Sequence, residues 1–224
     1  SAAPGSELDA GTGVVDLRSR GGDPATTERL LDAAIALFAE KGFDGAGVAG
    51  IARRAGVTTG AIYSRWSGKT EMFLDALDLV MTAHLTELLA GGRALGAAEV
   101  LASLGADLLV DRPHDEQRRA VVVEAFAVAR RDPEFAALMR RRLAQQEARL
   151  AAVVEAGHAD GLIDPALSTE AIVTLCHAIG LGFVLLRSLD RPLPGADEWN
   201  TLVGRLIAAA LPPGAAPNPD PAGA

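Results

Sequence analysis

The sequence predicts an all-α fold. Hydrophobic residues make up 49% of the chain and aromatic residues only 4%, and the abundance of alanine and leucine suits packed helices. Apolar residues recur every three or four positions over most of the chain, and no stretch alternates between apolar and polar residues as a half-buried strand does. We therefore predict about nine helices, three in a compact N-terminal unit and the others in a larger bundle.

The N-terminal unit is predicted to start with a helix over about residues 25–41. Asp23 and Pro24 supply its N-cap and first helical position, and Gly42 ends it. Apolar residues form one stripe along this helix, as expected for an element that packs on a core. The two short helices that follow cover residues 48–55 and 58–66.

The bundle is predicted to start with a helix from about residue 67 to residue 90. Glu71, Asp75 and Asp78 lie early in this helix, where negative charge suits the positive end of the helix dipole. The segments 1–23 and 211–224 are polar or rich in Gly and Pro, so we predict that both are disordered. The remaining helices are predicted at residues 97–110, 115–131, 133–159, 168–190 and 196–210.

Charge is distributed unevenly along the chain. The formal net charge is −8, yet residues 45–70 contain no Asp or Glu. This segment carries Arg53, Arg54, Arg65 and Lys69, so it contributes +4 and the rest of the chain −12. Solvated helix faces usually mix both signs. A purely basic segment in an acidic protein therefore indicates a polyanionic partner such as nucleic acid.

The segment VAGIARRAGVTTGAIYSRW, residues 48–66, has the pattern of a helix-turn-helix. Ile51 and Ala52 lie on the apolar face of its first helix, and the small Ala52 allows a second helix to cross closely. Gly56 lies where the chain must turn sharply, with a φ that we expect to be positive. The second helix of such a motif enters the major groove of DNA.

The second helix of the motif has an inner and an outer face. Thr58 or Thr59 is positioned to cap it. Ile62 and Trp66 are predicted to face the core. The residues predicted to face outward are Tyr63, Ser64 and Arg65.

The stretch LLDAAIALFAEKGFDGAGVAGIARRAGVTTGAIYSRWSGKTEMF, residues 30–73, resembles the N-terminal domain of the tetracycline-repressor (TetR) family of bacterial transcription regulators. The family pattern is an apolar "aA..lF.e.Gy" helix followed by "IA..aGvs.g.lY.hF..K". The resemblance covers about 45 residues at fixed spacing. It matches at Ala33, Ala34, Leu37, Phe38, Gly42, Phe43, Ile51, Ala52, Ala55, Gly56, Val57, Gly60, Ile62, Tyr63, Trp66 and Lys69.

The resemblance implies a DNA-binding domain over residues 24–67. By that resemblance Tyr63 and Lys69 contact phosphates, Thr58 and Thr59 reach the backbone or the base edges, and Gly60 allows a close approach. From their charge and predicted exposure, we add Arg53 and Arg54 of the first helix and Arg65 of the second to these candidates. The predicted DNA-binding residues are Arg53, Arg54, Thr58, Thr59, Gly60, Tyr63, Ser64, Arg65 and Lys69.

Three positions depart from the family pattern. Ala46 and Gly47 stand where the family usually has two threonines, so a hydroxyl that caps the helix and binds phosphate is missing. Gly50 replaces a usual Asp or Glu and lowers helix propensity by roughly 1 kcal/mol. Trp66 replaces the usual Phe. These departures affect particular contacts rather than the predicted fold.

The resemblance also implies that residues 68–210 bind a small organic effector and form a homodimer through the last two helices. Amphipathic stripes on those helices are compatible with a four-helix interface between two chains. The predicted interface residues are Ile172, Leu175, Ile179, Gly182, Phe183, Leu186, Trp199, Leu202, Val203 and Leu206. The candidates for lining the effector pocket are Phe126, Leu138, Met139, Leu143 and Gln146, although Gln146 also suits a position at the rim.

The sequence suggests no cofactor and no metal site. The four histidines show neither i, i+4 spacing nor an acidic cluster. Cys176 is the only cysteine, which fits a reducing compartment, and we expect a buried, inert thiol. The longest apolar run, residues 172–186, is shorter than the ~20 residues of a membrane helix. The protein is therefore expected to be cytoplasmic, with no membrane partner.

We predict a dimeric regulator, not an enzyme, that binds a near-palindromic operator in double-stranded DNA as a repressor and is released by its effector. Two alternatives stay open. An all-α enzyme would use carboxylate pairs such as Asp75/Asp78 or Asp107/Asp111, but no base, metal ligand or phosphate loop accompanies them, so we interpret them as solvated faces. A ligand-binding scaffold that has lost DNA binding is the other.

Overall fold

The prediction of an all-α fold is confirmed. The computed structural model describes residues 23–90, 114–189 and 191–210, and for residues 82–90, 196 and 207 it describes the backbone alone. These residues form eight helices and no strand. The helices are α1 (Pro24–Gly45), α2 (Val48–Ala55), α3 (Thr59–Tyr63), α4 (Lys69–Ala90), α5 (Asp115–Arg131), α6 (Pro133–Ala159), α7 (Thr169–Arg187) and α8 (Ala196–Ala209).

Several predicted features fall in parts of the chain that the structure does not describe. The predicted helix over residues 97–110, and with it the Asp107/Asp111 pair, lies outside the described residues. The same holds for the C-terminal segment 211–224 and for the N-terminal segment up to residue 22.

Helix α1 begins as the sequence predicts but ends four residues later. The side chain of Asp23 accepts a hydrogen bond from the backbone N–H of Thr26 at 3.1 Å, and the Thr26 hydroxyl is the main reason why the pKa of Asp23 is lowered. Gly42 does not end the helix but kinks it, with φ of 67° and ψ of 175°. After the kink, the N–H of Phe43 donates to Glu124 Oε1 at 2.8 Å, so helix α5 holds the displaced turn.

One hydrophobic core runs through α1, α2, α3, α4, α5 and α6. Its centre is a cluster of four phenylalanine rings with centroids 4.6–6.2 Å apart where they contact. The rings come from both predicted domains: Phe38, Phe43, Phe73 and Phe135. The domain boundary at residues 67/68 stays a prediction, and the core is continuous across it.

The expectation that Asp75 and Asp78 form a solvated face is wrong. Asp75 is 0% exposed and Asp78 is 8% exposed, both on the side of α4 that faces the core. Arg142 on α6 accounts for this, because its guanidinium donates to Asp75 Oδ1 at 3.0 Å and to Asp78 Oδ2 at 2.6 Å. Burial and the charge of Asp75 raise the pKa of Asp78, although Arg142 opposes the rise.

Helix α7 packs on α6 over a second, much smaller core. That core consists of Leu150, Val154, Ile163 and Val173. Six leucines on or next to α7 and α8 are exposed in the single chain: Leu175, Leu185, Leu186, Leu189, Leu202 and Leu206. Phe183 is not among them. It is buried edge-on against Trp199 of the same chain, with ring centroids 4.8 Å apart, and its place at the dimer interface stays a prediction.

Helix α7 is longer than the apolar run seen in the sequence. Among the described residues it is the one helix long and apolar enough to cross a membrane, judged by length and composition only. A single helix of this kind is weak evidence for a membrane span, since the core helix of a soluble protein passes the same test. Cys176 lies half-buried on it, and burial raises the pKa of the thiol, which keeps it protonated and poorly reactive.

Candidate nucleic-acid interface

The turn between α2 and α3 has the geometry that the glycine predicts. Gly56 adopts φ of 70° and ψ of 31°, in the left-handed region. The N–H of Val57 then donates to Ala52 O at 3.0 Å and closes the end of α2. A side chain at residue 56 would be strained in this conformation, so the glycine is required for the tight turn.

Helix α3 is shorter than predicted. Regular α-helix covers only five residues, Thr59–Tyr63, instead of 58–66. A tighter turn follows, in which the N–H groups of Arg65 and Trp66 both donate to Ile62 O at 2.9 Å. Thr58 holds the N-cap position, and its side chain makes no capping hydrogen bond.

The outer surface of α3 carries a set of exposed residues, which we name the reading face. Tyr63 is 60% exposed. On the opposite side, Ile62 and Trp66 are buried at 0% and 1% exposure and attach the helix to the core. The reading face consists of Thr58, Thr59, Gly60, Tyr63 and Ser64.

No close contact among the described residues requires a glycine at position 60. A Cβ atom there would have Thr58 Oγ1 as its nearest neighbour at 3.6 Å, which is ordinary van der Waals contact. By contrast, a Cβ at Gly50 would lie 3.0 Å from Cδ2 of Leu37, so that glycine lets α2 pack closely on α1. This packing offsets the low helix propensity predicted for α2.

Of the two arginines on α2, one has an acidic neighbour. Arg53 and Arg54 are both exposed in the last turn of the helix. Arg54 Nη1 lies 2.6 Å from Glu40 Oε1. Glu40 precedes the acid-free segment in sequence but lies beside it in space. A phosphate that approaches Arg54 must therefore compete with a carboxylate.

The expectation that Arg65 faces outward is wrong. The residue is half-buried, and its Nε donates to the hydroxyl of Thr27 on α1 at 2.9 Å. Its Nη1 donates to Ala61 O at 2.8 Å. The tighter turn after Tyr63 rotates residue 65 toward α1, so this guanidinium fixes the orientation of α3.

Lys69 is also held by its own chain. Its Nζ donates to Phe43 O at 2.7 Å and lies 4.4 Å from the centroid of the Phe43 ring. The charge stays partly exposed at the start of α4. In this position Lys69 both fastens the kinked end of α1 and places a cation close to the helix-turn-helix.

The residues predicted to line an effector pocket do not share one environment. Met139 is buried in the main core, and Leu138 and Leu143 pack partly buried against it. Phe126 on α5 is 41% exposed. Gln146 donates from Nε2 to Asp78 Oδ1 at 3.3 Å. In the part of the chain that the structure describes, no group of three or more His, Cys, Asp or Glu residues could hold a metal ion.

Sequence reasoning missed three residues that position the interface. Glu124 holds the kink of α1, Thr27 accepts from Arg65, and Asp75 accepts a hydrogen bond from Trp66 Nε1 at 2.8 Å. Only the last was signalled in the sequence. A tryptophan in place of the usual Phe brings an N–H group that needs a partner when it is buried.

Comparisons with known proteins agree with this arrangement. The family model described as "Bacterial regulatory proteins, tetR family" matches residues 30–76. The model described as "BetI-type transcriptional repressor, C-terminal" matches residues 97–212, which is more than half of the chain.

Curated relatives are similar over the N-terminal region. The HTH-type transcriptional regulator AqdR of Rhodococcus erythropolis is 46% identical over 50 residues, which are 22% of this chain and 24% of AqdR. Over the first three such relatives, the matched segments cover 24–35% of the length of the relative.

Solved structures are similar over most of the chain. A Rhodococcus sp. protein assigned to the TetR family of transcriptional regulators superposes with a TM-score of 0.69 at 19% identity, over 82% of this chain and 97% of that one. The regulator FadR of Bacillus subtilis, solved with stearoyl-CoA, superposes with a TM-score of 0.63 at 18% identity, over 82% of this chain and 98% of that one. Since the two family models together match residues on both sides of the predicted domain boundary, the chain belongs to the tetR family of bacterial regulatory proteins.

Proposed function

We propose that the protein is a homodimeric transcriptional repressor that binds DNA through α2 and α3 and is released by a small organic effector. The observation that carries the proposal is the reading face, which presents Tyr63 at 60% exposure on a helix whose other side is anchored in the core. An exposed tyrosine on an anchored helix fits contact with a surface outside the chain. Family membership makes DNA the favoured partner and argues against an enzyme.

The DNA contacts divide into two kinds. The hydroxyls of Thr58, Thr59 and Tyr63 are exposed and able to donate to phosphates or base edges, whereas the exposed Ser64 hydroxyl already donates to Ala61 O at 3.0 Å. Arg53 has no acidic neighbour among the contacts described above, so it is the best-placed cation for a phosphate. In this proposal Arg65 acts chiefly by holding α3 against α1.

The exposed leucines of α7 and α8 support dimerisation. Monomeric soluble proteins rarely expose large contiguous apolar surface. A second copy that packs on the same helices would cover these leucines in a four-helix interface. The interface we propose uses the exposed members of the predicted set and omits Phe183. Two reading faces would then dock in successive major grooves about 34 Å apart.

The effector would act by favouring a bundle arrangement that no longer fits this spacing. A coupling of roughly 1–3 kcal/mol would weaken operator binding about 5–150-fold. The stearoyl-CoA complex of the Bacillus subtilis relative supports only that a bundle of this fold is able to hold an organic ligand. As a DNA-binding regulator the protein would work in the cytoplasm.

An enzyme that uses Asp75 and Asp78 is disfavoured by the structure. Both carboxylates are buried and bound by Arg142, so neither is available to a substrate.

Selection of DNA by the purified protein distinguishes a repressor from a scaffold that has lost DNA binding. Purified protein is incubated with genomic fragments and the retained DNA is sequenced. A near-palindromic site should be enriched, whereas no enrichment with or without cell metabolites would favour the scaffold.

Quantitative binding to the selected site tests the proposed contacts. With three or four phosphate contacts per half-site, a plot of log affinity against log salt concentration should fall with a slope of about −6.

Tyr63→Phe removes only the hydroxyl and should weaken binding about tenfold. Arg53→Gln should reduce the magnitude of the slope by about 2 in the dimer. Arg141→Gln makes the same charge change on an exposed part of α6 and should leave the slope unchanged. A flat salt response would contradict the phosphate contacts.

A further inference from the structure

A buried polar cluster connects the end of α3 with the bundle helix α6. The indole Nε1 of Trp66 donates to Asp75 Oδ2 at 2.8 Å, and Arg142 donates to the other oxygen of Asp75 at 3.0 Å. Arg142 also binds Asp78, which accepts from Gln146. The cluster thus spans three elements: the turn after α3, helix α4 and helix α6.

The cluster lies where a movement of α6 against α4 would alter the contacts of the turn after α3. Asp75 and Asp78 are three residues apart on one face of α4, so a single guanidinium contacts both. Each oxygen of Asp75 faces a different partner, Trp66 on one side and Arg142 on the other. A shift of α6 along α4 would therefore change the contact that fixes Trp66.

Trp66 in turn is rigidly connected to the reading face. Its N–H closes the last turn of α3 on Ile62 O at 2.9 Å, and its ring is 1% exposed. Tyr63 lies three residues earlier, at the last position of α3, and Trp66 lies in the turn that follows it. A displaced Trp66 would rotate Tyr63 with it, because five helical residues leave little room to absorb the movement.

We propose that Trp66 and Arg142 are positioning residues for DNA binding: through Asp75, the bundle helix α6 sets the orientation of the reading face. This inference rests on the proposed function. It gives the Trp66 departure from the family pattern a role, because a phenylalanine at this position has no N–H group to donate to Asp75. It also defines the chemistry of the coupling: a charged hydrogen-bond chain, fully buried at Asp75 and partly exposed at Arg142, in which Arg142 contacts two carboxylates at once.

The first test measures operator affinity with the DNA fragment selected by the wild-type protein. Trp66→Phe and Arg142→Met should each weaken binding about tenfold, under conditions in which unfolding curves show every variant fully folded. The double variant should lose about tenfold in total rather than about a hundredfold, because both changes interrupt the same chain of contacts. Arg141→Met, which removes the neighbouring exposed arginine of α6, is the matched control for Arg142→Met and should bind within about twofold of wild type.

The second test needs no DNA and measures how firmly the end of α3 is held in place. Amide hydrogen exchange of Ser64, Arg65 and Trp66, and of the Trp66 indole N–H, is followed by NMR in the free protein. Arg142→Met should speed exchange at these sites while leaving the α1 amides unchanged. If Arg142→Met does not fold, Arg142→Lys keeps the charge but cannot span both carboxylates, and it should show the same pattern at smaller amplitude.

The two tests separate failure of this inference from failure of the proposed function. If wild-type protein enriches no DNA, the repressor proposal fails, and the exchange experiment alone decides the inference. Unchanged exchange around Trp66 in both Arg142 variants would overturn the inference. So would operator affinities that stay at the wild-type value in the folded Trp66 and Arg142 variants, or that fall independently and multiply in the double variant.

Discussion

Two regions of the molecule bury their apolar residues to different degrees. The first is the core shared by helices α1 to α6, and the second is the pair of helices α7 and α8. In the first region large side chains such as Phe73, Ile62 and Trp66 are almost completely enclosed by their own chain. In the second region the leucines of α7 and α8 lie at about half exposure, and Leu189 is 74% exposed. The first region is therefore complete in one chain, whereas the exposed leucines of the second are the surface that the proposed dimer would cover.

The largest effect should come from the centre of the first region. Phe73→Ala removes a ring that contacts Phe38, Phe43 and Phe135, and the cavity should lower the free energy of unfolding by about 3–5 kcal/mol. Urea unfolding is followed by fluorescence in single-tryptophan proteins that keep either Trp66 or Trp199. Phe126→Ala, at an exposed phenylalanine, should cost under about 1 kcal/mol. If the unfolding midpoint fell for only one of the two tryptophans, the core would not be shared between the two predicted domains.

The next largest effect is expected on dimerisation through α7 and α8. Leu202→Glu combined with Leu206→Glu places two charges on one face of α8 and should raise the dimer dissociation constant at least about 100-fold. Size-exclusion chromatography with light scattering measures the mass at several concentrations. Leu162→Glu with Leu167→Glu changes two similarly apolar residues between α6 and α7 and should leave the mass unchanged. Persistence of the dimer in the α8 variant would move the interface elsewhere.

A smaller effect is expected at the polar edge of the first region. Glu124→Ala leaves the N–H of Phe43 without its acceptor at the kink of α1 and should lower the free energy of unfolding by about 1–2 kcal/mol. Glu155→Ala, at an exposed glutamate of α6, should change it by less than about 0.5 kcal/mol. Denaturant unfolding at neutral pH gives both values. If Glu124→Ala and Glu155→Ala lowered the free energy of unfolding equally, the kink would depend on packing alone and not on the hydrogen bond to Glu124.

The smallest effect is a pH dependence in the buried cluster. The pKa of Asp78 is raised above 3.8 in the folded state, mainly by burial, so the folded protein binds this proton more tightly than the unfolded chain does. The contribution of Asp78 is therefore most favourable at pH below 3.8 and is lost as pH rises through the folded-state pKa. Asp78→Asn should flatten this decline in unfolding midpoints measured from about pH 4 to 7, whereas Asp160→Asn should not. Parallel curves for wild type and Asp78→Asn would contradict the assignment.

Much of the fold follows from local patterns. The structure places α2, α5 and α6 at the bounds that periodicity and capping predict, because those signals depend on residues within four positions of each other. The same holds for the inner and outer residues of α3: the alternation of Ile62 and Tyr63 between core and surface follows from helical geometry. Gly56 could be identified as a turn because its required φ is a property of the residue itself.

The positions that the sequence did not predict depend on distant partners. Asp75 and Asp78 have the pattern of a solvated face, and only Arg142, more than sixty residues away, makes their burial possible. Arg65 turns toward Thr27, thirty-eight residues earlier, once the helix tightens after Tyr63. Phe183 belongs to an apolar stripe suited to a partner chain, but Trp199 of its own chain covers it.

The amino-acid sequence by itself determined the helical class, the helix-turn-helix and the residues of the reading face, because each depends on spacing along a few turns. Tertiary structure alone decided which charges are buried, which cations are held by their own chain and which leucines stay exposed. The physical reason is that burying a charge is favourable only when an opposite charge or a hydrogen-bond partner meets it, and the packing of distant helices decides whether that partner arrives.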